Sequence, residues 1–290
     1  MLDQLKAASL SEASKFFIVA NFGIFVGSVA LCWSLGWLFQ SRRIFDRWEP
    51  LRPIEIFAAL GSIFFNAGIS VFGWWLWNSD FITLKTGGMI SGIYDCLAML
   101  LFMDFGMYVL HRFVHLPSIF NLFHRFHHRH ETTNPISLFV LHPVEIIGFG
   151  LLMIVFLALY RMSVGGLMGY LALNVLWGTL GHSGVEPFPG KFRSILGLSL
   201  LGTSTFHAEH HEHPRFNFGF YTLLWDKIFG TLDPEYDSRF LRDSDQVVAP
   251  ISGTGKESGW SEDRFTRTDS KKGADHPAGS GSFTGFPGSQ

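Results

Sequence analysis

Long uninterrupted apolar segments constrain the fold of this chain more than any other feature. The first, residues 16–39, contains no charged residue and exceeds the roughly 20 residues that a helix needs to cross a bilayer. Its length, with no Ala-x-Ala site after it, argues against a cleavable signal peptide. Further apolar segments follow at residues 56–77, 89–110, 144–160 and 165–181. The pattern predicts an all-α fold, a polytopic membrane bundle with about four or five transmembrane helices.

Composition agrees with this fold and excludes several partners. Charged residues make up 16% of the chain, against about 25% in soluble domains. A formal net charge of -2 gives no electrostatic basis for a nucleic-acid partner. The two cysteines, Cys32 and Cys96, both lie in apolar segments, so neither a disulfide framework nor a cysteine-based zinc site is expected.

The loop charges predict the orientation of the bundle. The loop after the first segment carries Arg42, Arg43, Arg47 and Arg52, whereas the next loop carries only Lys85. Because positive loops stay on the cytoplasmic side, the arginine-rich loop should be cytoplasmic. Counting crossings from there places twelve of the thirteen histidines near that same face.

Most of these histidines fall in three short clusters. "HRFVH" contains His111 and His115, while "HRFHH" and "HAEHH" share the spacing i, i+3, i+4. Residues three and four apart share one face of a helix, so each cluster should direct its imidazoles one way. His182 and His142 can add further ligands, whereas His130, His213 and His276 are typical of surface positions. The cluster residues are His111, His115, His124, His127, His128, His207, His210 and His211.

So many imidazoles favour two metal ions over one. Imidazole suits zinc, copper, iron and nickel, and one catalytic zinc takes only three protein ligands. The chain offers no Glu-x-x-His pairs of the kind found in soluble di-iron bundles, and no His-Glu-x-x-His zinc motif. Haem between membrane helices uses single histidines within the helices, whereas these histidines cluster near helix ends.

Longer motifs around the histidines resemble the fatty acid hydroxylase/sterol desaturase superfamily. They are "DFGMYVLHRFVH", "LHPVE", "GHSG" and "FHAEHHEHPRFNFGFYTLLWDKIFGT", and the resemblance covers roughly residues 103–233. It implies a membrane di-iron enzyme that hydroxylates or desaturates lipids with dioxygen. The chain departs from the family in the long spacing between His182 and His207 and in its C-terminal segment.

The resemblance implies roles for particular residues. The eight cluster histidines would hold two irons, with His182 as a ninth ligand and His142 as a further candidate. Asp104 would accept a ring N–H from a ligand histidine, and Glu145 and Asp226 are candidates for the same role. Asp104 and Asp95 are also candidates because carboxylates inside a membrane are costly.

Three regions follow from the motifs and the composition. Residues 1–88 should form the N-terminal transmembrane helices, and residues 89–236 a catalytic domain similar to those of the superfamily. Residues 237–290 are rich in glycine, serine and charge and poor in aliphatic residues. Such a composition buries too little apolar surface to fold, so a disordered cytoplasmic tail is expected.

The expected substrate is a lipid, such as a sterol, a sphingoid or fatty acyl chain, or a carotenoid. The segment "FNFGFY", residues 216–221, could line its slot. Hydroxylation and desaturation stay equally open. Electrons would come from a separate donor of the ferredoxin or cytochrome b5 type, docking on the cytoplasmic face. Lys191, Arg193 and Arg215 lie there, although lipid headgroup contacts are the more ordinary role for such cations.

Two other functions compete with this interpretation, and the host membrane is open. One is a metal transporter, which would need polar residues continuing across the bilayer. The other is a zinc-dependent membrane hydrolase, which would need a base such as Glu209 or Glu131. The C-terminus has no obvious retention signal, which favours a bacterial plasma membrane over the endoplasmic reticulum.

Overall fold

A computed structural model describes residues 2–46, 50–129 and 132–245. Regular structure across these ranges is helical. The α-helices in chain order are α1 (Leu2–Lys6), α2 (Leu10–Leu38), α3 (Pro53–Asn78), α4 (Met89–Val114), α5 (Pro117–Ile119), α6 (Pro143–Leu159), α7 (Val164–Gly181), α8 (Ser204–Glu212), α9 (Leu224–Phe229) and α10 (Tyr236–Ser244).

Helices α2, α3, α4 and α7 are long and apolar enough to cross a membrane, and α6 is a shorter apolar helix. The predicted all-α membrane bundle is therefore confirmed. Many outward side chains are large and apolar, including Trp37 at 72% and Phe57 at 71% exposure. Such surfaces are stable only where lipid covers them. Within the bundle both cysteines are buried and free, as expected.

Helix α2 begins earlier than its apolar segment does. Ser9 accepts a hydrogen bond from the Glu12 N–H at 3.3 Å, and the Glu12 carboxylate accepts the Ser9 N–H at 2.8 Å. This reciprocal capping box satisfies two backbone donors that a helix end otherwise leaves free. The first turn is consequently polar, and the helix starts at Leu10 rather than at residue 16.

Helix α4 packs against both α6 and α7. Its buried methionines, Met99, Met103 and Met107, form the main core with Phe156 and Tyr170. At Gly106 an added Cβ would stand 2.5 Å from a Leu152 methyl. The absence of a side chain there therefore lets α4 and α6 approach closely.

The residues that follow α4 and α7 form a cap over one end of the bundle, the end where both helices finish. Short single turns dominate the cap, including a π-turn at Phe120–His124 and a 3-10 turn at His127–Arg129. The arginine-rich loop contacts the cap. Arg43 forms an isolated antiparallel β-bridge with Val185, and the Arg42 guanidinium donates a hydrogen bond to the Pro187 carbonyl. The histidines and this loop thus lie at the same end.

Helix α10 corrects the predicted start of the C-terminal tail. Tyr236 and Phe240 are fully buried against Phe206, Leu223 and Phe192 of the cap. The sequence boundary at residue 237 is therefore wrong: two aromatic residues suffice to anchor one short amphipathic helix, although the surrounding composition is polar. Residues 246–290, which include His276, lie outside the described residues, as do His130 and Glu131.

Asp95 serves the opposite end of the bundle. Its carboxylate accepts the Ser163 N–H at 2.7 Å, the Tyr160 hydroxyl at 2.7 Å and the Lys85 ammonium at 3.1 Å. Sixteen residues separate it from His111, about 24 Å along an α-helix. Asp95 therefore fastens the loop before α4 to the turn between α6 and α7, and it is no part of the histidine region.

The contact between α4 and α7 predicts a difference between two adjacent glycines. A Cβ at Gly166 would stand 2.6 Å from Asp95 Cβ and 3.0 Å from the Gly92 carbonyl, whereas one at Gly165 would meet nothing within 4 Å. We expect Gly166→Ala to destabilise the protein by about 1–3 kcal/mol through overpacking. Thermal unfolding in detergent should show a clear loss in melting temperature for Gly166→Ala and little for Gly165→Ala. Equal melting temperatures would refute the close packing.

Candidate metal centre

Nine of the ten predicted imidazole ligands converge in two groups under the cap. Within each group the candidate ligand atoms all lie within 4.8 Å of one another. We call them group 1 and group 2. Group 1 consists of His111, His115, His124, His128 and His210. Group 2 consists of His127, His182, His207 and His211.

Group 1 is built where α4 ends. His111 lies in its last turn and His115 directly follows the helix, so the i, i+4 spacing brings their ring centroids 4.9 Å apart in an edge-to-face arrangement. The π-turn then brings the chain back, and its wider coil places the His124 ring 4.6 Å from the His115 ring. His210 arrives from α8, with its ring 4.8 Å from that of His115.

Group 2 is built where α7 ends. His182 directly follows the last residue of α7, and its Nε2 lies 3.0 Å from the Nε2 of His207 in α8. His211 follows one turn later, with its Nε2 3.2 Å from that of His207. His127 completes the group from the 3-10 turn, its ring 4.8 Å from the His211 ring.

The two His-x-x-His-His clusters each contribute to both groups, which differs from the expectation that a cluster points one way. His124 and His128 belong to group 1, whereas His127 belongs to group 2. In α8 the pair His207 and His211 belongs to group 2, and His210 to group 1. In each cluster the two histidines at positions i and i+4 thus belong to one group, and the histidine at i+3 belongs to the other group. The shared segments hold the two groups side by side.

Backbone carbonyls orient several of the rings. The Nδ1–H groups of His111, His127 and His210 donate to the carbonyls of Phe218 (2.9 Å), Val140 (3.1 Å) and Phe216 (2.6 Å). These bonds place the ring proton on Nδ1 and leave the Nε2 lone pair directed into the group. Sequence reasoning missed these partners, because a backbone carbonyl carries no signature in the side-chain pattern.

Sequence reasoning also missed the side chain that orients His182. The Ser137 hydroxyl donates to the Asn134 carbonyl at 2.8 Å, so it accepts the His182 Nδ1–H at 2.7 Å. The Asn134 side chain in turn accepts the Ile136 and Ser137 N–H groups at 3.0 and 3.1 Å. The signal was present in "NPIS", since Asn before Pro favours a turn of this kind.

Of the three predicted carboxylates, Glu145 contacts a histidine. Its carboxylate accepts the Nδ1–H of His124, and it also caps α6 by accepting the His142 N–H at 3.2 Å. Both side chains of the first pair are buried. Glu145 thereby orients a group 1 ring as predicted for such a carboxylate.

Asp104 and Asp226 instead bind the backbone of the segment after α8. Asp104 accepts the Tyr221 N–H and the Thr222 N–H, both at 3.1 Å. Asp226 accepts the N–H groups of Phe218 at 2.8 Å and Gly219 at 2.7 Å. The expected direct bond from Asp104 to a histidine is wrong because Asp104 lies two helical turns, about 10 Å, before His111. Both carboxylates hold the segment whose carbonyls orient His111 and His210.

His142 lies outside both groups. It precedes α6, its Nδ1 accepts the Val144 N–H at 3.2 Å, and its ring packs 5.1 Å from that of Phe123. Glu209, one of the two bases nominated for a hydrolase, forms a separate cluster with His213 and Asp233. The other nominated base, Glu131, lies outside the described residues.

The two groups fit metal ions better than they fit bare imidazoles. Burial lowers the pKa of His124 and of His127 to about 3, so these rings are neutral near pH 7. The Nε2 of His128 lies 3.1 Å from the Nε2 atoms of both His124 and His210. The Nδ1–H groups of His124 and His210 are directed elsewhere, so these three Nε2 atoms share at most one proton, and the lone pairs left over could coordinate a cation.

Unpaired ring nitrogens support the same conclusion. Among the described residues, neither nitrogen of His115 has a hydrogen-bond partner, nor does Nδ1 of His128. Buried polar atoms without partners are rare because each costs about 1–3 kcal/mol. Nitrogen-only donor sets of this kind suit iron, zinc, copper or nickel.

Comparison with known proteins identifies the family. The fatty acid hydroxylase family model matches residues 96–231, a span that contains all nine grouped histidines. The match supports the resemblance of residues 96–231 to the fatty acid hydroxylase/sterol desaturase superfamily. The matched span begins within α4 and ends just after α9, so it comprises the part of the bundle that carries the cap.

Similar curated proteins act in lipid chemistry, by their names. A Delta(7)-sterol 5(6)-desaturase of Eremothecium gossypii is 25% identical over 79% of this chain and 67% of its own length. A cholesterol 25-hydroxylase-like protein of Danio rerio is 26% identical over 54% of this chain and 63% of its own. A very-long-chain aldehyde decarbonylase of Oryza sativa subsp. indica is 28% identical over 47% of this chain and 23% of its own.

The chain spans about two thirds or less of the length of these relatives. No solved structure matches it significantly. The four helices long and apolar enough to span a membrane, together with the family match, support an integral membrane protein. The expected preference for a bacterial membrane finds no support, because these relatives are eukaryotic.

The Glu145–His124 contact predicts a specific loss of metal. Replacing Glu145 with Gln removes the negative acceptor of the His124 Nδ1–H, and such losses typically lower metal affinity about 10–100-fold. We expect Glu145→Gln to release its bound metal at lower chelator concentrations than the unaltered protein does.

Glu55→Gln is the matched control for this measurement. Glu55 caps α3 in the same way: its carboxylate accepts the Arg52 N–H at 2.9 Å, and a proline likewise begins the helix. Glu55 lies outside both groups. Equal metal retention in the two variants would show that Glu145 acts only as a helix cap.

Proposed function

We propose that this protein is a membrane-bound di-iron oxygenase that hydroxylates or desaturates an unactivated C–H position of a lipid. The observation that carries the proposal is the convergence of nine imidazoles in two adjacent groups at the end of an apolar bundle. The superfamily and the names of the relatives, two sterol desaturases among them, support an oxidoreductase acting on lipids.

Iron is the metal that best joins this donor set to oxidative chemistry. Zinc has no redox activity, so it would leave the site without a way to oxidise a C–H bond. Two irons bound in groups 1 and 2 would activate dioxygen. Group 1 would supply five nitrogen ligands and group 2 four, which leaves room for small ligands at the second ion.

The chain's own task is to orient the rings and to exclude water. The carbonyls of Phe216 and Phe218 hold two rings of group 1, and the carbonyl of Val140 holds His127 of group 2. The Phe218 ring lies 5.2 Å from that of His115, and the Phe120 ring lies 5.2 Å from it as well. An apolar lid of this kind protects a reactive centre from side reactions with solvent.

The membrane position of the site favours a lipid substrate and a separate electron donor. The arginine-rich loop lies at the same end of the bundle as the histidines, which supports a cytoplasmic site by the positive-inside rule. A ferredoxin or a cytochrome b5-type protein could reach the cap from that side. Arg193 is engaged with Asp237, so it is a poorer docking candidate than Lys191.

Metal analysis tests the proposal first. The protein purified in detergent from iron-supplemented cells should contain about two irons per chain, as expected for two groups that each hold one ion. His210→Ala removes a group 1 ligand and His127→Ala a group 2 ligand, so each should lose iron. His142→Ala should retain it, because His142 lies outside both groups.

Turnover with isotopic oxygen then tests the reaction. Incubation with dioxygen labelled with 18O, a reducing system and candidate lipids should yield an 18O-labelled alcohol in a hydroxylation, or a new double bond in a desaturation. Zinc that iron cannot replace on reconstitution, or iron-loaded protein that modifies no lipid, would contradict the proposal and favour the hydrolase or metal-transport functions.

A further inference from the structure

Most of helix α2 is exposed, but one stripe along it is covered by protein. Ser28 and Cys32 are buried, and Phe25 and Val29 are partly buried. These four residues follow the spacing i, i+3, i+4, i+7, which places them on one face of a helix. We call this stripe the inner face of α2.

The first part of the inner face packs against the segment 134–140, which lies between the second histidine cluster and α6. Phe25 and Val29 join the apolar cluster that contains the buried Val140. The Phe25 ring meets the Phe139 ring edge-on, with their centroids 4.9 Å apart. The position of this segment therefore depends on α2.

The same segment orients two ligands of group 2. The Val140 carbonyl accepts the Nδ1–H of His127 at 3.1 Å, and the Ser137 hydroxyl accepts the Nδ1–H of His182 at 2.7 Å. A shift of the segment would move both acceptors at once. Because partners of this kind fix the orientation of a ligand ring, such a shift would weaken metal binding.

The second part of the inner face contacts the end of α7. The Cys32 thiol donates to the backbone carbonyl of His182, with 3.5 Å between sulfur and oxygen, and the Ser28 hydroxyl hydrogen-bonds that of Thr179. A helix end leaves its last carbonyls without helical partners. Cys32 therefore supplies a donor to the residue that follows α7 and belongs to group 2.

The loop after α2 extends these contacts toward α8. The Glu186 N–H donates to the Arg42 carbonyl at 2.9 Å. The Glu186 carboxylate in turn accepts the Thr205 N–H at 2.9 Å, in the first turn of α8. This helix carries His207 and His211, the remaining two ligands of group 2. Contacts that begin in α2 and its loop thus lead to every ligand of group 2.

The groups that orient the rings of group 1 come from other elements. Glu145 lies in the first turn of α6, and Phe216 and Phe218 lie in the segment after α8. Helix α2 packs on α3 and α7, whereas α4, which leads to group 1, packs on α6 and α7. The inner face of α2 therefore supports the two groups unequally.

We infer that α2 positions the ligands of group 2, so that its inner face sets the metal affinity of group 2 and not that of group 1. The inference rests on the proposed function in one respect, that group 2 holds a metal ion. Helix α2 lies outside the span matched by the family model, residues 96–231. Its sequence indicates a membrane-spanning helix, and its inner face adds a second role.

Zinc binding to the full-length protein in detergent tests the inference without turnover. Bound metal is first removed with a chelator. Zinc affinity is then measured by competition with a chromophoric chelator, because imidazole suits this ion. Two backgrounds isolate the groups: His111→Ala with His115→Ala disables group 1, and His127→Ala with His211→Ala disables group 2.

Two phenylalanine variants of α2 form a matched pair. The Phe25 ring contacts Phe139, whereas Phe22, three residues earlier, is 51% exposed. We expect Phe25→Ala to weaken zinc binding by group 2 about tenfold, because losing an aromatic pair loosens the segment that orients His127 and His182. Phe25→Ala should leave group 1 unchanged, and Phe22→Ala should change neither group.

Cysteine variants give a second test, which decides the matter if Phe25→Ala fails to fold. Cys32→Ala removes the donor to the His182 carbonyl and should weaken zinc binding by group 2 about threefold. Cys32→Ser restores a donor and should recover the affinity, which a purely space-filling role would not predict. Cys96→Ala is the control, since Cys96 is also buried and free but lies about 22 Å before His111 along α4.

The outcomes separate this inference from the proposed function. A folded Phe25→Ala variant with unchanged group 2 affinity would overturn the inference, and so would equal losses in the two backgrounds. If Phe25→Ala does not fold, unchanged affinity in Cys32→Ala overturns it instead.

Zinc has no redox activity, so these measurements do not depend on the oxygenase reaction. A loss confined to group 2, in a protein that oxidises no lipid when loaded with iron, keeps the inference and rejects the oxygenase. Two zinc ions per chain with no effect of α2 reject the inference alone. Unaltered protein that binds no metal overturns both.

Discussion

The constraint on which this structure depends is the placement of nine neutral imidazoles in a buried space with their lone pairs facing one another. In group 2 the Nε2 atom of His207 lies 3.0 Å from that of His182 and 3.2 Å from that of His211. At most one proton can be shared across each such contact, and burial disfavours adding more. His207 has only one Nε2 proton to offer to two neighbours, so without a cation the group keeps lone pairs that lack a full donor. The cap must supply enough stabilising contacts to hold it until metal binds.

The fold supplies those contacts through the backbone that surrounds the rings. Residues 216–222 orient His111 and His210 by their carbonyls, and the same segment gives its N–H groups to Asp104 and Asp226. A carboxylate in α4 thus positions a histidine in that same helix by way of a segment more than a hundred residues later. The ring orientations in group 1, the position of α4 and the conformation of residues 216–222 are consequently coupled. A change in one of them should alter the other two.

The sequence predicted the helices and the converging histidines better than it predicted which side chains contact one another. Apolar length located the spanning helices to within a few residues, and the histidines that converge were those in the clusters and His182. Their division into two groups was not predictable, because helical spacing holds only on regular helices and His124 and His127 lie on π and 3-10 turns. A different limit applies to Asp104: its spacing from His111 within α4 gives a shared face, but two helical turns, about 10 Å, separate the residues, too far for a direct bond. Tyr236 and Phe240 show that two aromatics can order a segment whose overall composition is polar.

The ends of the bundle differ in what their polar groups accomplish. At one end Asp95 accepts hydrogen bonds from Lys85, Tyr160 and Ser163 and so holds the adjoining loops together. At the other end the polar groups orient imidazole rings, and the aromatic rings of Phe120 and Phe218 pack against group 1. Because His182 directly follows α7, one of the helices long enough to span a membrane also delivers a candidate ligand to group 2. Packing of the spanning helices and the geometry of the histidine groups are therefore linked through α7 as well as through α4.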